Sequence, residues 1–247
     1  MKAGKLRYHR ILLKLSGEAL AGTRENNRTL DPSVCAKIAR EIAGVRARGV
    51  EIGIVVGGGN ILRGASAQGI PRVTADTMGM LATVINSLAL ASYLEQEGCA
   101  ARVLTAVSAP GAGDAGERFT PEKAREYLAK GTIVIIAGGT GNPFFTTDTA
   151  AARRCAEIGA EVLLKATKVD GVYDSDPVKK TWARKFDRLT HAEALSRKLK
   201  VMDATAFSFC MENNIPVIVF KLAGNGNLRK CIEGKKVGTL VTTGGLS

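Results

Sequence analysis

The sequence predicts an α/β fold: a three-layer sandwich with a mostly parallel central sheet. Three observations predict it. Short β-branched runs alternate with helical periods along nearly the whole chain. Those runs are apolar on both faces, as in Ile52-Gly-Ile-Val-Val56 and Thr132-Ile-Val-Ile-Ile-Ala137, which is how strands covered on both sides by helices read. No repeat, low-complexity linker or compositional break divides the 247 residues, so one domain spanning 1–247 is expected.

The elements follow in order. A strand is expected over Arg10–Leu15, then a helix over 32–48 with Asp31 as N-cap, Pro32 at its first position and Gly49 as terminator. Its apolar stripe is Val34, Ile38, Ile42 and Val45. A strand over Glu51–Val56 precedes a long helix near 75–97. Within it, Met78–Leu94 is mostly small and apolar but contains Thr83, Asn86, Ser87 and Ser92, which is too short and too polar for a membrane span. That helix is expected to be buried, in the core or against another subunit. Strands over Arg102–Val107 and Thr132–Ala137 bracket a helix near 121–130, and a helix near 148–158 leads into a strand over Glu161–Lys165. Thr190-His-Ala-Glu193 reads as a capping box that opens another helix. A helix near 204–213, a strand over Pro216–Phe220, a helix near 226–233 and a strand over Gly238–Thr242 complete the pattern.

Composition narrows the function. With 45% apolar and 23% charged residues the chain is an ordinary globular one, so dominant disorder is excluded. The formal net charge is +12, which calls for an anionic partner: phosphate, nucleic acid or an anionic membrane. Glycine, at 28 residues, exceeds its usual share and suggests close backbone approaches. The cysteines at 35, 99, 155, 210 and 231 form neither CxxC pairs nor Cys/His clusters, so buried reduced thiols in a cytoplasmic protein are expected. Lys14 and Gly17 interrupt the apolar stretch that follows the basic start, so no signal peptide is expected.

In open parallel sheets, ligands bind beyond the carboxyl ends of the strands. The first strand ends with Lys14 inside an apolar run, followed by Ser16 and Gly17. A lysine there either meets an anion or snorkels from an edge strand. The second ends in Gly57, Gly58 and Gly59, with Arg63 four residues on; bare amides and a forked guanidinium suit phosphate oxygens. The fourth ends in residues 137–148, whose Thr and Asn donors precede Asp148 at a helix start. The fifth ends with a second lysine, Lys165, followed by Thr167, Asp170, Tyr173 and Asp176. Two lysines from two strand ends, facing glycine-rich loops, argue for stabilising a phosphoryl group in transfer.

Other signals carry less. Gly111-Ala-Gly113-Asp-Ala-Gly116 matches GxGxxG, but Pro110 precedes it and no helical run follows, so it reads as a flexible loop. No GxxxxGK[ST] is present, and neither HRD nor DFG marks a protein kinase. His9 and His191 receive no chemistry. The segment 179–200 carries eight basic residues against Asp187 and Glu193; a solvated face is expected there rather than a nucleic-acid site.

Six stretches together resemble the amino acid kinase family, and within it the bacterial uridylate (UMP) kinases. They are KLSGEAL (14–20), GGGNILRG (57–64), ADTMGMLATVIN (75–86), TGNPFFTTD (140–148), LLKATKVDGVYDSDP (163–177) and LKVMDATAF (199–207). The resemblance implies transfer of the ATP γ-phosphoryl group to UMP, with Mg2+, in pyrimidine nucleotide synthesis. It implies ATP contacts at Lys14, Leu15, Ser16, Gly17, Gly59, Arg63, Thr167, Tyr173 and Asp176. It implies UMP contacts at Gly58 and Asp76 and along Thr140, Gly141, Asn142, Pro143, Phe144, Phe145, Thr146 and Thr147. Lys14, Lys165, Asp148 and Arg63 would be catalytic, Asp148 orienting the lysines. The first part of the chain, about 1–150, would bind UMP and contact other subunits, and about 151–247 would bind the ATP nucleoside. A homohexamer built as a trimer of dimers and feedback by UTP are also implied. Segment 21–31 departs from the glycine-rich pattern that accompanies GTP activation in many bacterial relatives.

Overall fold

The structure, a computed structural model, describes residues 5–22, 28–62, 69–108, 117–199, 201–222 and 226–244. Arg63 and the loop 111–116 lie outside the described residues, as does the stretch 23–27 of the segment 21–31.

Arg10–Leu15 (β1) and Glu51–Val56 (β2) pair in parallel, with the bounds expected from the sequence. Between them Pro32–Arg46 forms α1, opened by the Asp31 carboxylate, which accepts from the Ser33 and Val34 amides. Arg72–Gln96 forms α2, starting three residues earlier than expected. Ala101–Thr105 (β3) stops two residues before Val107, because the Val107 amide turns back to donate to Thr105 Oγ1. Pro121–Ala129 (α3), Ile133–Ala137 (β4) and Thr147–Glu157 (α4) follow. Val162–Thr167 (β5) continues past Lys165, because Val217–Lys221 (β9) pairs with it as far as Thr167.

Three strands were not foreseen: Val172–Tyr173 (β6), Lys185–Phe186 (β7) and Arg188–Thr190 (β8). Two or three residues are too few to show a period. His191–Ser196 (α5) is opened by the complete capping box of Thr190 and Glu193. Ala204–Glu212 (α6), Asn227–Ile232 (α7) and Thr239–Thr242 (β10) finish the chain. The basic side chains of 179–199 are exposed, the solvated face that was expected.

Eight strands form one sheet in the order β3-β4-β2-β1-β5-β9-β10-β8, parallel except where β10 runs against β9; β6 and β7 make a separate hairpin. One core layer joins the sheet to α1, α2 and α7, the other to α3, α4, α5 and α6. This is the expected sandwich. β1 lies in its middle, flanked by β2 and β5, so the edge-strand account of Lys14 fails. The helix α2 packs into the core on one side only. Within this chain it is not buried all round, since Met78, Leu81, Ile85 and Leu88 are 40 to 50% exposed along one side.

Candidate active site

The chain runs outward from β1 in both directions of the sheet, and that reversal of strand order opens a crevice at the strands' carboxyl ends. The parallel register of β1 and β5 sets Lys14 directly beside Lys165. In-register partners on adjacent strands point to the same face, about 4.8 Å apart. Both lysines are only 8% exposed. Two ammonium groups so placed repel strongly away from water, and a shared anion offsets this. Asp148, in the first turn of α4, is that anion. Its Oδ1 lies 2.6 Å from Lys14 Nζ, and its Oδ2 accepts from Lys165 Nζ. Burial alone would push the Asp148 carboxyl up, but Lys14 and Lys165 outweigh it and hold the group below its ordinary value. Burial pulls Lys165 below the ordinary lysine value against the opposing attraction of Asp148, and repulsion from Lys14 adds to the fall.

A cavity of about 730 Å³ is lined by Lys14 and Asp148; Lys165 does not line it and is joined to it through Asp148. It brings together Lys14, Gly58, Gly59, Asp76, Thr140, Asn142, Phe145, Thr146, Thr147 and Asp148, as the sequence led us to expect. Glycine at 58 answers to packing: a Cβ there would stand 2.7 Å from the Gly79 carbonyl and 2.9 Å from Ala82 Cβ, where α2 crosses the turn after β2. At Gly17 a Cβ would meet Asn60 Oδ1 at 2.3 Å and the Gly57 carbonyl at 2.6 Å, so the loops after β1 and β2 touch through backbone.

Gly141 takes a left-handed φ of 81°, and so does the non-glycine Phe144, at 69°. The Phe144 amide donates to Asp76 Oδ2 at 2.8 Å, which ties the segment after β4 to α2. Thr83 Oγ1 accepts from the Gly138 amide at 2.8 Å and adds a second tie. Pro143 is half-buried between exposed neighbours.

Several expected residues lie elsewhere. Leu15 is wholly buried in the apolar core, so only its backbone can serve a ligand. Ser16 is half-buried at the start of the following turn. Thr167 spends its hydroxyl on the Val169 carbonyl at 2.6 Å. Tyr173 and Asp176 line a second cavity of about 600 Å³, which shares no lining residue with the first. Tyr173 donates its hydroxyl to Asp170 Oδ1 at 2.5 Å, and that bond raises its pKa.

Asp203, Arg72 and Thr83 also line the first cavity, and sequence reasoning gave them no role. Asp203 caps α6 by accepting from the Ala206 amide at 2.9 Å; it also accepts from the hydroxyls of Thr149, at 2.9 Å, and Thr146. An Asp before a helical run signals only the cap. Its contacts to α4 arise from the packing of α4 on α6.

A three-layer α/β protein with two buried lysines around one carboxylate, at the reversal point of its sheet, is built to handle phosphoryl anions. The chain belongs to the amino acid kinase family, whose model matches residues 9–221. It is 53% identical over 239 residues to the chloroplastic uridylate kinase PUMPKIN of Arabidopsis thaliana, covering 96% of this chain and 69% of that protein. Among solved structures it resembles UMP kinase from Bacillus anthracis, with a TM-score of 0.90, 36% identity and coverage of 96% and 97% of the two chains. The UMP kinase of Ureaplasma parvum gives a TM-score of 0.86 at 36% identity, covering 96% of this chain and all of that one (100%).

Proposed function

We propose that the chain is a nucleoside monophosphate kinase that transfers the γ-phosphoryl group of ATP to UMP, giving ADP and UDP for pyrimidine nucleotide synthesis. The observation that carries this is the pair of in-register lysines sharing Asp148 at the edge of the large cavity. The names of the similar proteins support UMP as acceptor.

In the reaction an acceptor phosphate oxygen bonds to the γ-phosphorus while the bond to the bridging oxygen breaks, and charge spreads over the oxygens of the group in flight. Lys14 and Lys165 each carry three N–H donors, of which Asp148 engages only part, so the others are free to neutralise that charge. Asp148 orients both ammonium groups and is itself no base, because its carboxyl is held below the ordinary range. Gly58, Asp76 and the segment Thr140–Thr147 would hold UMP. Gly59, the backbone from Lys14 to Gly17, and Arg63 would hold the ATP phosphates, with Thr167, Tyr173 and Asp176 on the nucleoside. Mg2+ would be carried on the nucleotide's own phosphate oxygens and would supply neutralisation of their charge.

The apolar side of α2, with Met78, Leu81, Ile85 and Leu88 at helical spacing, supports self-association, which we read as a hexamer built from dimers. The described cysteines carry no disulfide, which supports a reducing compartment such as the cytoplasm. UTP would act as a feedback inhibitor by occupying the acceptor site. A coupled assay with ATP, magnesium and a panel of nucleoside monophosphates tests the reading: ADP should form with UMP in preference to CMP, AMP and GMP. Absence of UMP-dependent ADP would remove it. Sedimentation of Leu81→Glu should show smaller species than the parent.

A further inference from the structure

Arg72, the first residue of α2, makes two contacts that converge on the segment after β4. Its Nε donates to Asp76 Oδ2 at 2.7 Å, and its guanidinium lies 5.5 Å from the centre of the Phe144 ring. The same Oδ2 takes the Phe144 amide at 2.8 Å. An i,i+4 ion pair on an open helix face does little, because water screens it and both side chains lose freedom. This one differs in where it sits. Asp76 is 13% exposed, Arg72 and Asp76 both line the cavity, and Phe144 holds a left-handed φ of 69° that a non-glycine residue adopts only when its surroundings enforce it.

We infer that Arg72 is a positioning residue for the acceptor side of the cavity, acting through Asp76 and Phe144. With Oδ2 fixed between a guanidinium N–H and a backbone N–H, the carboxylate cannot rotate, and the Phe144 peptide cannot relax to negative φ without giving up its acceptor. The cation over the aromatic face holds the ring against the same helix. Arg72 thereby presets the turn Thr140–Thr147 in the geometry that closes around the acceptor nucleotide, and an acceptor meets a site already shaped for it. Lysine replaces only part of this, since an ammonium lacks both the directed Nε–H and the planar face.

This inference rests on UMP being the acceptor, and the two fail separately. If the unmodified enzyme forms no ADP with UMP, the substrate assignment falls. If it does, steady-state kinetics of Arg72→Ala test the positioning role. The expected result is a KM for UMP raised ~10-fold, with kcat within ~3-fold and the KM for ATP unchanged. Arg72→Lys should fall between the two. Because Arg72 works through Asp76, the double variant Arg72→Ala/Asp76→Asn should bind UMP no more weakly than Asp76→Asn alone, a non-additivity that a merely structural contact would not produce. Three results would overturn the inference: an unchanged KM for UMP in Arg72→Ala, parallel rises in both KM values, or additive losses in the double variant.

Discussion

The molecule buries cations at two places a few residues apart along α4, and it treats them differently. Lys14 and Lys165 come from adjacent strands and divide one carboxylate, Asp148, between them. Arg154, 3% exposed, is enclosed by protein: Nη1 lies 2.5 Å from Glu157 Oε2, Nη2 donates to the Gly139 carbonyl at 3.3 Å, Phe119 covers its face with the ring centre 4.1 Å away, and Nε is buried with no hydrogen-bond partner among the described residues. Lys14 and Asp148 line the large cavity, while the arginine faces protein on every side named. Two cations per anion leave donors beside the cavity, whereas the arginine has a carboxylate, a carbonyl and a ring of its own inside the protein. Local stoichiometry of charge therefore separates the proposed reacting site from a brace, and burial alone does not.

Substitutions sharpen that contrast, from the largest effect downward. Lys165→Met should lower kcat by ~10²–10³ while the Tm stays near or above that of the parent, since removing the cation also removes its repulsion of Lys14. Near-parental turnover would take Lys165 out of the mechanism. Arg154→Met should do the reverse, with kcat within ~10-fold and stability reduced by roughly 2–3 kcal/mol. That lies below the ~3–5 kcal/mol typical of a broken buried pair, because Glu157 is 20% exposed and keeps Arg153 as a partner. Loss of turnover with an intact melting curve would erase the distinction between the sites.

A subtler measurement uses proton occupancy. In the proposed mechanism Lys165 acts charged, and its pKa lies below the ordinary 10.5, so kcat should decline on the alkaline side before pH 10.5 is reached. In Lys165→Arg, which stays protonated there, the decline should move to higher pH even though the maximal rate is lower. The smallest effect concerns His191, which is buried with its Nε2 3.0 Å from the Ile215 carbonyl and its Nδ1 unpartnered. Burial lowers its pKa from 6.5. The unfolded chain then binds the extra proton first, so His191 favours the fold above pH 6.5, and that contribution is lost as the pH falls through the depressed folded value. The Tm should drop by a few degrees between pH 7 and 5, and His191→Gln should flatten that slope.

Much of this was legible beforehand, for identifiable reasons. A lysine inside an apolar strand end is conspicuous, so Lys14 and Lys165 stood out, and Asp148 stood out at a helix start. The order of layers was legible because strands like Glu51–Val56 have unbroken apolar runs. What stayed hidden depends on packing. Asp203 looks like a cap, Arg72 lies ahead of the helix expected near 75–97, and the hairpin of β6 and β7 is too short for periodicity. Gly58 was conspicuous for one reason, phosphate access, while the structure adds another, the crossing of α2.

Because Lys14 and Lys165 are neighbours by hydrogen-bond register, their spacing is inherited from the backbone ladder rather than from any loop. The segments beyond the strands can lengthen, shorten or change sequence without separating them. A single residue inserted inside the six-residue β1 ahead of Lys14 would turn that side chain toward the opposite helical layer and leave Asp148 with one partner. The proposed reacting centre is thus acutely sensitive to frame within two short strands and insensitive to the loops beyond them, and it is in those loops that related enzymes can diversify their substrates while keeping one chemistry.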